Sequence, residues 1–333
     1  MLEKWQQAVS VVNIGATKDE GGSRARVVKI GGQGTLPFLF SEGVIPNKPV
    51  VAFEIWDIAP PDWPQELNKA YRDCFGDFLS WAEKCVKEYQ AQILCLRLQG
   101  AHPDFGNRTA DQEAKLIGQL LKKVDVPLII VGCGDDAKDN LILPACCEAA
   151  KGERCLVGEA AQDNYKTLVA STLADGHNII AQSPIDINIA KQLNILISDM
   201  GLPLERIVIN PTIGALGYGL EYAYSIMERA RLAALSGDKT MACPFICFVG
   251  QEAWRAKEAK ASVTEFPLWG PESERGIIWE AITATALIQA GADILVMRHP
   301  KAIEKVNKYI DSLMTNDKAQ NPCLPAGRQN KFK

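Results

Sequence analysis

His177-Asn-Ile-Ile-Ala-Gln-Ser-Pro-Ile-Asp-Ile-Asn-Ile-Ala-Lys-Gln-Leu-Asn-Ile-Leu-Ile-Ser-Asp-Met-Gly-Leu-Pro-Leu-Glu-Arg-Ile-Val-Ile-Asn210 decides the fold. A short apolar run, Asn178–Ala181, gives way to polar loop residues and then to an amphipathic stretch, Ile187–Met200. Pro203 stops that helix, and a second apolar run, Arg206–Ile209, follows. Strand, loop, helix and strand in that order form a βαβ unit.

Outward from this segment the same unit repeats. Val50–Glu54, Ile93–Leu98, Pro127–Val131, Cys155–Gly158, Pro244–Val249 and Asp293–Met297 complete a set of eight strands rich in Val, Ile and Leu. Such runs suit parallel strands covered on both faces. Helical spacing fills the gaps at Phe78–Tyr89, Asp111–Val124, Asn164–Ala174, Glu221–Leu235 and Glu274–Ala290, with a final helix at Lys301–Leu313. Eight alternating units with no second boundary predict a single (β/α)8 barrel over residues 1–314, with an open doubly wound sheet as the alternative. Val11–Ile14 and Arg26–Ile30 alternate around Gly15 and Gly21-Gly22, which predicts a hairpin within a prelude over residues 1–48. The polar stretch 315–333 has no apolar period and reads as a disordered tail.

Composition narrows the function classes. The chain has 333 residues, 47% hydrophobic and 23% charged, with a net charge of -4. That length suits one barrel and a large core. The mild negative charge argues against a nucleic-acid surface. The N-terminal Met1-Leu-Glu-Lys-Trp5 carries no signal-peptide pattern, and no apolar run reaches ~18 residues. A cytoplasmic protein with no membrane attachment is expected. None of the ten cysteines forms a CxxC pair, and several lie inside apolar strands, so no metal site or cluster is expected.

In a barrel the chemistry sits at the C-terminal strand ends. These ends supply Glu54, Arg97, Gln99, Asp135, Glu159, Gln182, Ser183, Asp186, Asn210, Gln251, Arg298 and His299. Glu54 and Asp135 can form an acid–base couple across the mouth; equally, each can pair with an arginine or cap a helix. His299 reads either as a catalytic base or as a strand-end histidine bonded to its loop. No Walker loop, dinucleotide fingerprint, zinc-binding helix or GxSxG elbow is present. No strand end carries a Schiff-base lysine, which disfavours an aldolase. Asn210-Pro-Thr-Ile-Gly-Ala-Leu-Gly-Tyr-Gly219 is the unusual loop, where glycines allow close backbone approach to a flat ligand or a partner and Tyr218 adds an aromatic face. A plain turn with a helix N-cap reads equally well.

With that loop, further stretches carry a resemblance: Gly15–Gly22, Pro127–Asp135, His177–Asn188, Lys191–Leu196, Ser225–Arg229, Glu252–Glu258 and Val296–Pro300. Together they span nearly the whole chain, which closely resembles the small subunit of the corrinoid iron–sulfur protein, equivalent to the delta subunit of the acetyl-CoA decarbonylase/synthase complex. Cys146-Cys147 and the tail after Met314 depart from the pattern. The resemblance implies a non-catalytic barrel that pairs with a large corrinoid/iron–sulfur subunit and shares its corrinoid (cobalamin), with no cluster of its own. It implies methyl transfer from methyltetrahydrofolate or a pterin analogue, through a methyltransferase, to acetyl-CoA synthase. Gln182, Ser183, Asp186, Asn210, Gly214, Gly217 and Tyr218 are the expected surface near the corrin. Two other readings remain: a pterin-dependent methyltransferase using Asp135, Asp186 and Asn210, and a purely architectural subunit.

Overall fold

The structure is a computed structural model and describes residues 3–320. All eight expected strands form: β3 (Val50–Trp56), β4 (Leu94–Arg97), β5 (Leu128–Val131), β6 (Leu156–Ala160), β7 (Asn178–Gln182), β8 (Ile207–Asn210), β9 (Ile246–Cys247) and β10 (Ile294–Met297). They are parallel, in the order β8-β7-β6-β5-β4-β3-β10-β9. A parallel bridge from Ile209 to Phe245 brings β8 against the β9 segment and closes the ring. The barrel is therefore correct and the open sheet is excluded. Closure leaves no free edge in the sheet, so the apolar strands need no charged guards.

The prelude proves part of the barrel. β1 (Val11–Ile14) and β2 (Val28–Gly31) pair antiparallel. Alternation puts Val12, Ile14, Val28 and Ile30 on one face, and these pack against Ala52, Ile93, Ile129, Leu156, Ile180, Val208, Ile246 and Ile294 inside the ring. The hairpin thus plugs the N-terminal end of the barrel. Polar ties hold it there: Asn178 Nδ2 donates to Asn13 O at 2.8 Å, and Gly15 N donates to Arg154 O at 2.9 Å.

Two differences from expectation have local causes. A helix over Asp136–Ala149 contains Pro144, which masks its helical signal, although Asp135 caps it by accepting from Lys138 N at 2.8 Å. The last helix, Pro300–Gln320, runs past Met314, where the tail was expected to begin. Once nucleated by its packed turns, a helix extends at little cost through polar residues. The remainder of the expected tail lies outside the described residues. Among the described residues no helix is long and apolar enough to cross a membrane.

Candidate functional site

With the N-terminal end plugged, the open end is the one where the strands finish. At its centre lies Glu54 on β3, fully buried. Arg298 donates to it from Nε at 2.8 Å and from Nη2 at 3.0 Å, and Arg97 donates from Nε at 3.1 Å. Trp56 Nε1 adds a fourth bond at 2.9 Å. Burial alone would raise this carboxyl, but Arg298 and Arg97 outweigh it and hold the group at about 2. Glu54 is thus a fixed counter-ion with no free valence for proton transfer. The acid–base couple with Asp135 does not form, because Asp135 is committed to its helix cap.

Around this centre other acids are similarly engaged. Glu159 is held by Asn210 Nδ2, and burial pushes its carboxyl up. Asp57 accepts from Gly100 N at 2.9 Å and from Arg108 Nη1 at 2.6 Å, which anchors the loop after β4. Against Asp57 lies Glu113, fully buried, whose oxygens accept from no N–H group. Burial and the Asp57 charge push Glu113 up to about 8, which favours its protonated form. Glu280, pushed up to about 7 by burial, receives Arg298 N at 2.6 Å and Trp254 Nε1 at 2.9 Å. His299 stacks on Trp254 and accepts from Lys301 N at 3.1 Å, and burial lowers it to about 4. It is the loop-bonded strand-end histidine, not a poised base.

The mouth also holds a cavity of about 290 Å³. Its walls include Trp56, Trp63, Trp254 and Phe105, with Arg97, Arg298 and Gln251 at its polar side. Trp63, Trp254 and Phe105 did not figure among the strand-end residues, because each reaches the cavity from a loop or short helix. The Pro60-Pro61-Asp62-Trp63-Pro64 run was the available signal for Trp63: a large aromatic in a stiff turn near a strand end. A second hollow, of about 910 Å³, lies in the helix layer and is lined by charged residues such as Glu66, Lys69, Glu274 and Lys305. It is remote from the converging strand ends, apart from His299 and Phe53, and its polar groups pair locally, as Lys69 does with Glu66 at 2.5 Å.

The seven residues expected near a corrin fall on the opposite arc of the mouth, after β7 and β8. Ser183 is buried, and its Oγ has no partner, while its carbonyl accepts from Thr212 Oγ1 at 2.7 Å. Asn210 is buried and bridges Glu159 to Thr212 N. Asp186 caps the helix Ile187–Asp199 through Asn188 N at 2.7 Å and Ile189 N at 3.2 Å. Gln182 is half-buried at the end of β7. Gly214 and Gly217 shape the loop: a Cβ on Gly214 would meet Tyr218 O at 2.1 Å, and Gly217 has φ +77°. Tyr218 is half exposed, and its hydroxyl donates to Glu258 Oε2 at 2.9 Å while accepting from Lys257 N at 3.1 Å. Asp135 and Asp186 are engaged as helix caps, and Asn210 is tied to Glu159. Asp186→Ala should lower stability by about 0.5–2 kcal/mol, the worth of a cap; thermal unfolding measures it.

A flat group would meet suitable surface here. Ile185, Tyr218 and Tyr222 are exposed on this arc, and the unpartnered Ser183 hydroxyl lies among them in the chain. Beyond them, between β9 and β10, Val263, Leu268 and Trp269 are exposed, with Trp269 stacked on Phe266 at 4.0 Å. Among the described residues no group of three or more His, Cys, Asp or Glu side chains is placed to hold a metal. The nine described cysteines are buried free thiols, and burial pushes Cys133, at the cavity wall, up to about 12.

Comparison with known proteins bears on this geometry. A family described as CO dehydrogenase/acetyl-CoA synthase delta subunit matches residues 12–321. The acetyl-CoA decarbonylase/synthase complex subunit delta of Methanocaldococcus jannaschii is 36% identical over 315 residues, covering 94% of this chain and 76% of the relative. Subunit delta 1 of Methanosarcina thermophila is 33% identical, covering 96% and 74%. These names read delta subunit, not small subunit, so the size label in the expectation is not kept. Among solved structures, dihydropteroate synthase of Yersinia pestis with a sulfonamide superposes with a TM-score of 0.56 at 12% identity, covering 82% of this chain and 97% of that one. The Stenotrophomonas maltophilia dihydropteroate synthase gives 0.54 at 14% identity, covering 82% and 95%. At that identity the likeness concerns the barrel alone.

Proposed function

Because the chain belongs to the CO dehydrogenase/acetyl-CoA synthase delta subunit family, we propose that it is a barrel subunit that covers the open face of a corrinoid carried by a separate corrinoid/iron–sulfur subunit. In this reading it serves methyl transfer from methyltetrahydrofolate, or a pterin analogue, to acetyl-CoA synthase. A corrinoid supplies the methyl-carrying cobalt chemistry itself. The chain's own residues bind and shield: Gln182 offers hydrogen bonds to corrin amides, Ser183 lies buried beside it, and Tyr218 with the Gly214–Gly217 backbone offers a flat, close approach.

The observation that carries the proposal is the state of the mouth. Its strand-end acids are ion-paired, hydrogen-bonded or capping, and His299 is neutral and stacked, so no strand-end base is poised for proton transfer. Its rim instead exposes Ile185, Tyr218, Tyr222, Leu268 and Trp269, with Leu268 97% exposed. Apolar and aromatic side chains gathered on a rim suit a partner surface.

The test is anaerobic co-expression with the corrinoid/iron–sulfur subunit, followed by gel filtration and an absorbance spectrum of the eluted peak. A one-to-one complex that holds corrinoid, with none on this chain alone, is the expected result. Leu268→Asp should weaken that complex by about tenfold, since it places a charge in a desolvated contact. A solitary chain that ignores the other subunit and binds methyltetrahydrofolate would overturn the reading in favour of a methyltransferase.

A further inference from the structure

The cavity beside Glu54 has a character that covering a corrinoid does not require. Arg97 and Arg298 are only 7% and 6% exposed, yet both line an open cavity. Each guanidinium has five N–H groups. Arg298 spends Nε and Nη2 on Glu54, and Arg97 spends Nε on Glu54 and Nη2 on Gln251 Oε1 at 2.9 Å. Neither Nη1 has a protein partner among the described residues. Two buried cations thus share one buried carboxylate at the cavity wall.

The entrance charges largely offset one another. At the entrance stand Arg255, Lys260 and Asp62. Arg255 is paired with Glu252 at 3.1 Å, and Lys260 and Asp62 offset each other in formal charge. Two further buried acids lie against the arginines, Glu159 behind Arg97 and Glu280 at Arg298 N, and burial opposes the ionisation of both. The walls are flat: Arg298 lies 4.9 Å from the Trp63 ring centroid and 5.5 Å from that of Trp56, and Trp254 and Phe105 complete the enclosure. A guanidinium held against indoles keeps its plane fixed and its remaining N–H groups aimed. Spare guanidinium donors facing the cavity and aromatic walls select a small ring system carrying a negative edge.

We propose that this cavity is a binding site for a small conjugated anion of one or two rings, its carboxylate or comparably acidic edge on Arg97 and Arg298 and its ring between Trp56, Trp63, Trp254 and Phe105. The site stands on the chain's own residues and does not rest on the corrinoid reading. At about 290 Å³ it admits such a molecule and excludes a macrocycle.

Benzoate is the probe, added to the purified full chain and followed by tryptophan fluorescence and calorimetry. Benzamide keeps the ring and removes the charge, and cyclohexanecarboxylate keeps the charge and removes the flat ring. Saturable one-to-one binding of benzoate is expected, with each control weaker by about tenfold or more. Gln251→Glu places a carboxylate against Arg97 and should weaken benzoate by about tenfold or more while the chain stays folded. Lys260→Glu, exposed at the entrance, repeats the test without touching a buried side chain and should weaken benzoate by about threefold. Absence of saturable benzoate binding, benzamide binding as tight as benzoate, or indifference to both substitutions would overturn the proposal.

Discussion

Glu54→Ala is expected to lower the free energy of unfolding by about 3–5 kcal/mol, the range for breaking a buried ion pair by removing one partner. The reason is what remains. Arg97 and Arg298 would stay buried, side by side, without the carboxylate that both now contact. Trp56 Nε1 would lose its acceptor as well. Glu54→Gln should cost less, because an amide of the same shape still accepts hydrogen bonds. The pH dependence has a definite sign. The folded carboxyl sits at about 2 against an ordinary 4.5, so its stabilisation is present above pH 4.5 and is lost as pH falls toward 2. Urea unfolding at neutral and acid pH reads both effects. An alanine variant as stable as the parent at pH 7 would show that the arginines find other compensation.

Glu113→Gln should change the opposite limb of the pH profile. Glu113 is held protonated up to about pH 8, while in the unfolded chain it ionises near 4.5. The folded state therefore binds the extra proton between those values, and its stability declines as pH rises from 4.5 through 8. Each unit of displacement is worth about 1.4 kcal/mol, so a loss of more than ~2 kcal/mol across that window is expected of the parent. Glutamine cannot ionise and can still donate to Asp57, so its variant should be flatter and, at pH 8, more stable. Glu280, at about 7, contributes a slope of the same sign and will leave some dependence behind. Unfolding midpoints at pH 5, 6.5 and 8 for both proteins give the comparison. Parallel profiles would mean that the fold does not hold Glu113 protonated.

The two acids were not equally visible in the chain. Glu54 ends an apolar strand, and that position alone marks it as a mouth residue. Its partners stand 43 and 244 residues away, and nothing local connects them. Glu113 lies in the first turn of a helix whose sequence presents it as one more exposed acid at a positive helix end. Only the packing of that helix beside Asp57, which follows β3, and Arg108, in the loop after β4, buries it. The loop glycines show the converse. Gly214 and Gly217 stood out in the chain, and each is constrained locally: a Cβ on Gly214 would meet Tyr218 O, and Gly217 has φ +77°.

The sequence by itself determined the barrel and the antiparallel hairpin before it. Both follow from short-range rules: alternation along a strand and 3.6-residue spacing along a helix. That the hairpin plugs the ring, and that Asp135 and Asp186 cap helices, came from the structure. The tertiary structure decided which charges meet and which aromatics enclose them. Arg97, Trp63, Arg298 and the Gln251–Trp254 turn come from four separate segments and converge only because ring closure brings their strand ends and loops to one mouth. Burial then sets the charge states, through desolvation and Coulomb interactions between groups that are neighbours in space and strangers in sequence.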